Sequence, residues 1–133
     1  MNNRRSFIVG IKSTKLSLKE KFFLKKYKPW GVILFTKNIK NINQAFKLTF
    51  SIRKIFNDKK YPILIDQEGG RVNRLKNIIS FDNLTSEFFG KKYTNNFVEF
   101  KSYYKLFIDK TSYLLKSIGV NINTCPVLDL RLK

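Results

Sequence analysis

The chain has 133 residues, the size of one ordinary domain, and its 43% hydrophobic content excludes a compositionally disordered protein. Its one cysteine, Cys125, excludes an internal disulfide; no window approaches the ~20 apolar residues of a membrane span, and the apolar run in MNNRRSFIVGIK is too short for a signal peptide. The net charge is +18, but 21 of the 27 basic residues are lysines spread along the whole chain, with no RRM, KH, zinc-finger or helix-turn-helix pattern. Asparagine, isoleucine and phenylalanine are enriched as well and alanine occurs once, at Ala45, the bias of an AT-rich coding sequence. The expectation is therefore a cytoplasmic protein with a solvated basic surface, and with neither a nucleic-acid nor a membrane partner.

Taken in chain order, the elements alternate. SFIVGI at 6–11 is a β-branched and aromatic run, hence a strand. SLKE at 17–20 has capping-box spacing, with Ser17 at the N-cap and Glu20 at N3. Leu18, Phe22 and Tyr27, helped by Phe23 and Leu24, then form the apolar stripe of a helix that Pro29 stops. Trp30, at the junction, is expected in the core. GVILF at 31–35 is a continuous apolar run, read as a strand buried on both faces.

Residues 41–56 carry Ile42, Ala45, Phe46, Thr49, Ile52 and Phe56 at helical spacing, and YPILI at 61–65 is the third strand. A looser region follows, from 66 to about 94. From about Asn96 a long helix runs through Phe97, Phe100, Tyr104, Phe107, Ile108, Leu115 and Ile118, with Gly119 placed as its C′ residue. VNINTCPVL at 120–128 is the fourth strand. Strand and helix in alternation mean parallel strands with right-handed crossovers, either a doubly wound sheet or a (β/α) barrel. Both gather ligands at the C-terminal ends of the strands. About four strands are too few for a closed barrel of eight and roughly 250 residues, so the chain reads as one apparently truncated unit over residues 1–133, the first half of something.

The chemistry concentrates just after the third strand, in DQEGGRVNRL at 66–75. Asp66, at a strand mouth, can accept directional hydrogen bonds from a polyol. Gly69 and Gly70 let the backbone turn sharply. Arg71 and Arg74 either clamp a ligand or pin the carboxylates, and a structural salt-bridge turn explains the same residues equally well. Asp66 and Glu68 invite comparison with the paired carboxylates of glycosidases. Asp129 closes CPVLDL on the same rim, as a site group or as a cap for the following loop. Cys125, beside Pro126 in an apolar run, reads as an inert thiol. The chain has no histidine, no phosphate-binding glycine loop and no dinucleotide fingerprint, so neither a metal site nor a cofactor is expected.

ILIDQEGGRVNRL closely resembles the signature after the third strand of family 3 glycoside hydrolases, most of all the bacterial β-N-acetylhexosaminidases of peptidoglycan recycling. GVILFTKNI, LTFSIRK and SIGVNINTCPVLDL agree in order and spacing. The resemblance implies the first half of a (β/α)8 TIM-type barrel and a cofactor-free enzyme that removes terminal β-linked N-acetylglucosamine with retention. It implies that Asp66 hydrogen-bonds hydroxyls of the sugar, that Arg74 is a second sugar-binding position, and that Glu68, Arg71 and Asp129 hold the rim. It also implies what is missing. The family's Lys-His pair, its His-Asp acid/base dyad and its aspartate nucleophile all lie on later segments, and FDNLTSEFFG at 81–90 lacks the usual proline. No catalytic residue is therefore expected in this chain. The expected partners are an N-acetylglucosamine-containing muropeptide or sugar and a complementing C-terminal half. The alternative is a stand-alone carbohydrate-binding or interaction module and, ranked behind it, a basic nucleic-acid-binding protein.

Overall fold

A computed structural model describes residues 4–126. The chain runs through strand β1 (Arg5–Gly10), helix α1 (Leu18–Tyr27), strand β2 (Pro29–Leu34), a 3-10 turn (Thr36–Asn38), helix α2 (Ile42–Phe56) and strand β3 (Ile63–Ile65). Helices α3 (Ser86–Asn95) and α4 (Phe97–Ser117) and strand β4 (Ile122–Asn123) follow. The strands form one parallel sheet in the order β1-β2-β3-β4. This order separates the two expected architectures. A doubly wound sheet reverses its direction of growth at a switch point. Here each strand is added on the same side of the last, and crossovers of one hand then place the connecting helices on one face. That is the wall of a (β/α) barrel, with the four parallel strands and crossover helices expected from the sequence.

The local signals explain the helix ends. Ser17 and Glu20 form the expected capping box, with the Ser17 N–H donating to the Glu20 carboxylate at 2.8 Å. Helix α1 closes on Lys28 in the left-handed region, and Pro29 opens β2 rather than only ending the helix. Asn41 caps α2 and Asn96 caps α4, each accepting a backbone N–H three residues on. Gly119, at φ +77°, ends α4 as expected. Its N–H donates to the Lys116 carbonyl at 3.0 Å and the Val120 N–H to the Leu115 carbonyl at 2.9 Å, the paired closure of a helix C-terminus.

Strand alternation divides the core. Val9, Ile11, Val32, Leu34, Ile63 and Ile65 face the helices and pack with Leu24, Ala45, Leu48, Ile52, Leu114 and Leu115. The other parity forms a cross-strand row, Gly10–Ile33–Leu64–Ile122, on the concave face. Below it Ile8 pairs with Gly31, where a Cβ would lie 2.8 Å from the Leu64 side chain. The concave row is apolar yet partly open: Ile8 is exposed, and Ile33 and Ile122 are half-buried.

Four expectations are corrected. The region read as loose contains α3, whose N-cap Thr85 accepts the Phe88 N–H at 3.0 Å. That helix has a single buried residue, Phe89, and an internal Gly90, so its periodicity was faint. Strand β4 is short among the described residues, ending at Asn123 rather than near 128. In α1 only Leu24 is buried, while Leu18 and Phe22 are 83% and 66% exposed, so the apolar stripe points away from the core. Trp30, the second residue of β2, is likewise exposed.

Two glycines test this account with opposite signs. A Cβ on Gly119 would adopt a left-handed conformation and meet Thr49 Oγ1 at 2.5 Å, whereas one on Gly90 would meet nothing within 4 Å. Gly119→Ala should lower the unfolding free energy by about 1–2 kcal/mol or more, and Gly90→Ala should raise it by about 0.5–1 kcal/mol. Urea unfolding of both variants measures the pair, and equal midpoints would contradict the assignment.

Candidate functional site on the strand-end rim

The loop after β3 begins at the C-terminal mouth of the sheet. Asp66 follows Ile65 directly, and the Arg74 side chain returns to it in a two-pronged pair. Nε donates to Oδ1 at 2.8 Å and the terminal nitrogen to Oδ2 at 2.5 Å. Two parallel charge-assisted bonds fix orientation as well as distance. The guanidinium also lies 5.5 Å from the centroid of the Phe35 ring, at the end of β2. The hydrogen bonds and charge of Arg74 hold the Asp66 carboxyl below its ordinary value despite partial burial. Asp66 in turn holds the Arg74 guanidinium above its own ordinary value. Both side chains remain 26% exposed, so solvent or a ligand reaches them.

What brings Arg74 back is Gln67, a residue the sequence reading left unassigned. Its side chain is buried, and its Oε1 accepts the backbone N–H of Arg74 at 2.8 Å and that of Leu75 at 3.0 Å. Its own backbone is held by Asn123, which accepts the Gln67 N–H at 3.0 Å and donates to the Gln67 carbonyl at 3.1 Å. The signal available in sequence was a glutamine between two carboxylates at a strand end, too common to single out without the fold.

The two glycines have separate tasks. Gly69 and Gly70 have φ of +90° and +57°, and together with Val72 they form a tight turn. Segment 81–85 lies against that turn: the Gly70 N–H donates to the Phe81 carbonyl at 2.8 Å. A Cβ on Gly69 would lie 2.4 Å from the Leu84 carbonyl oxygen. Conformation and close approach thus both call for glycine.

The remaining expected residues divide. Arg71 is exposed and lines a hollow with Arg74, Asn73, Lys76 and Asp82, with no ion-pair partner among the described residues. Glu68 is half-buried and lines a different groove, beside Gln67 and Cys125. Asp66 is not among that groove's lining residues, so the two carboxylates serve different surfaces. Asp129 lies outside the described residues. The Cys125 thiol donates to the Gln67 carbonyl at 3.1 Å, and burial, followed by the charges of Glu68 and Asp66, pushes its pKa up to about 11. It is a protonated thiol at neutral pH, as expected of an inert cysteine.

The comparisons with known proteins agree with the resemblance carried by the motif. The chain is 28% identical over 124 residues to a beta-hexosaminidase of Thioalkalivibrio sulfidiphilus, covering 92% of this chain and 35% of the relative. Native NagZ from Neisseria gonorrhoeae superposes with a TM-score of 0.82 at 26% identity, over 96% of this chain and 37% of that one. A glycoside hydrolase family 3 beta-N-acetylglucosaminidase from a Paenibacillus strain shares the fold, with a TM-score of 0.72 at 24% identity, over 93% of this chain and 23% of that one. No protein-family model matches the chain. The chain spans about a third of the length of the curated relatives it matches. Among the described residues no helix is long and apolar enough to cross a membrane.

The depressed Asp66 carboxyl gives the rim a pH signature. A carboxyl with a lowered folded pKa adds stability that is fully present above its unfolded value, 3.8, and is lost as pH falls through the folded value. Asp66→Asn should therefore unfold more easily than the parent at pH 6, and the gap should narrow as pH falls below 3.8 and through the lowered folded value. Urea midpoints across that range measure it. A gap unchanged at acid pH would show that the ion pair is not its source.

Proposed function

We propose that this chain carries the sugar-positioning part of a β-N-acetylhexosaminidase. In a polypeptide of the relatives' length the reaction would be retaining hydrolysis of a terminal β-linked N-acetylglucosamine, with a muropeptide as the natural substrate class. The observation that carries the reading is the two-pronged Asp66–Arg74 pair at the mouth of β3, partly exposed and held by buried Gln67. Arg74 takes one lone pair on each Asp66 oxygen, which leaves acceptor capacity on both. Sugar hydroxyls are the donors that fit an ionised acceptor of fixed orientation. Unspent N–H groups of Arg74, and the exposed Arg71, can donate to the ring's oxygens or to an acetamido carbonyl.

The same geometry argues against a reacting role for Asp66. A carboxyl held ionised cannot deliver a proton to a leaving group at neutral pH. As a nucleophile it would first have to give up the guanidinium that stabilises its charge. Retaining chemistry needs a nucleophile and an acid/base group about 5–5.5 Å apart. On this reading both reside on polypeptide outside these 133 residues, supplied by a complementing C-terminal segment. Orientation without a nucleophile leaves most of the barrier standing.

Two measurements test the reading on the purified chain. N-acetylglucosamine, titrated by NMR, should shift amide signals of residues 66–74, and Asp66→Ala should weaken that binding at least about tenfold, the loss of a charged hydrogen bond worth about 1.5–3 kcal/mol. The chain should release no 4-nitrophenol from its β-N-acetylglucosaminide at an enzymatic rate. Absence of binding, or turnover near about 1 s⁻¹ that Asp66→Ala abolishes, would overturn the proposal.

A further inference from the structure

Between Glu20 and Asp58 the chain carries eight lysines, Arg53 and no carboxylate. In sequence these lysines look dispersed, but the fold sorts them. Leu24 of α1 and Ala45, Leu48 and Ile52 of α2 face the sheet. Helical spacing therefore turns Leu18, Phe22, Lys25 and Lys26 of α1 away from it, together with Phe46, Lys47, Phe50 and Lys54 of α2. All of these are exposed, Phe22 by 66% and Phe50 by 60%. The Phe46 and Phe50 rings stack at 6.4 Å, and the Lys26 ammonium lies 5.8 Å from the centroid of the Phe22 ring.

The two helices stand side by side. Between them lies a hollow of about 550 Å³, lined by Lys15, Lys21 and Lys47 with Gln44 and Ser51, and by no acid. None of the lysines named has an ion-pair partner among the described residues. Arg53 turns elsewhere: its terminal nitrogen lies 2.9 Å from where a Cβ on Gly119 would stand. The Glu20 carboxylate is engaged by the N–H groups of Lys12 and Ser17. The outward face is thus apolar and charged by lysine alone. It also stays open in a longer polypeptide. Strands added at either edge of the sheet bring new helices beside α1 and α4, not over the outward faces of α1 and α2.

We propose that the outward face of α1 and α2 is a peripheral docking surface for an anionic lipid bilayer. Charge complementarity selects an anionic partner, and Leu18 and the exposed phenylalanines select one with an apolar interior. The long lysine stems let their ammonium groups sit among phosphate headgroups while the rings enter the acyl boundary. The hollow between the helices would seat one headgroup. A nucleic acid would match the charge but not the shape. The face is the convex outside of two helices, not a groove that tracks a strand, and it has no arginine to fork onto phosphate. A bilayer is flat and offers headgroup and acyl chain together. Each lysine near an anionic surface contributes about a fivefold gain in binding, so several suffice without any helix that spans the membrane.

The test is co-sedimentation of the full chain with vesicles of phosphatidylcholine alone and of equal parts phosphatidylcholine and phosphatidylglycerol. Binding should need the anionic lipid and weaken as salt screens it. Lys25→Glu with Lys26→Glu should weaken it at least about tenfold. Phe22→Ser with Phe50→Ser should do the same, at unchanged charge and with an unchanged circular dichroism spectrum. Val98→Ser, at an exposed apolar position of α4, should leave binding intact. No binding to the mixed vesicles, or equal binding to both kinds, would overturn the proposal. So would binding that ignores the phenylalanine pair, which is plain attraction of a basic chain to any polyanion, or binding lost with Val98→Ser. Substitutions on this face that removed binding to single-stranded RNA and left vesicle binding unchanged would overturn it in favour of a nucleic acid.

Discussion

A single buried amide organises the rim. Gln67 closes the loop after β3 by accepting two backbone N–H groups eight residues or so downstream, and its own peptide unit is clamped by Asn123. Without that acceptor two N–H donors would lose their partner, at about 1–3 kcal/mol for each one buried. The larger consequence is geometric. The backbone of Arg74 is fixed by Gln67, the guanidinium of Arg74 is thereby aimed at Asp66, and the charge state of Asp66 follows from the guanidinium. Fold, ion pair and ionisation are thus linked in one direction, from an uncharged side chain to a charged one.

Amides hold the neighbouring loops in the same way. Asn38 is fully buried, donates to the carbonyls of Ile11 and Ser13 and accepts the N–H of Phe35, which ties the end of β1 to the end of β2. Gln44 reaches from α2 to the carbonyls of Thr14 and Asn38, and Asn77 donates to the Ile39 carbonyl. Asn121 fastens the start of β4 to Ile63 and Tyr61. An amide offers donor and acceptor together and brings no charge into a molecule already strongly basic. The abundance of asparagine, read in sequence as coding bias, therefore includes residues that stitch successive strand ends together.

The parts of the fold set by local chemistry were legible. Ser17 and Glu20, Asn96, and Gly119 each satisfy a helix end through neighbours in sequence, and they stand where the pattern put them. The alternation of apolar runs was enough for a parallel sheet, and Asp66 with Arg74 was recognisable as a unit. What was not legible depends on tertiary burial. The apolar residues of α1 have helical spacing, but spacing does not say which flank meets the sheet, and Leu24 rather than Leu18 or Phe22 does. Helix α3 leans on α4 through Phe89, against Tyr104 and Phe107, and through Tyr93, against Phe97 and Phe100, and a helix with one buried residue leaves little periodicity to read. Gln67 was hidden for a related reason: the partners that explain it lie at 74, 75 and 123.

The charge balance of the rim bears on what it can recognise. Between residues 66 and 82 the chain carries three acids, Asp66, Glu68 and Asp82, and three bases, Arg71, Arg74 and Lys76, so this stretch is neutral within a molecule of net charge +18. Arg74 is committed to Asp66, and Asp82 is occupied by Asn73 and Ser80. A surface arranged to hold a polyanion would leave its cations uncommitted and in excess, because its affinity comes from counterion release. Here the most exactly placed cation is used to keep a carboxylate ionised and oriented. That arrangement favours a ligand that is uncharged where it meets Asp66 and rich in hydroxyl donors, which is the chemistry of a sugar ring rather than of a phosphate backbone.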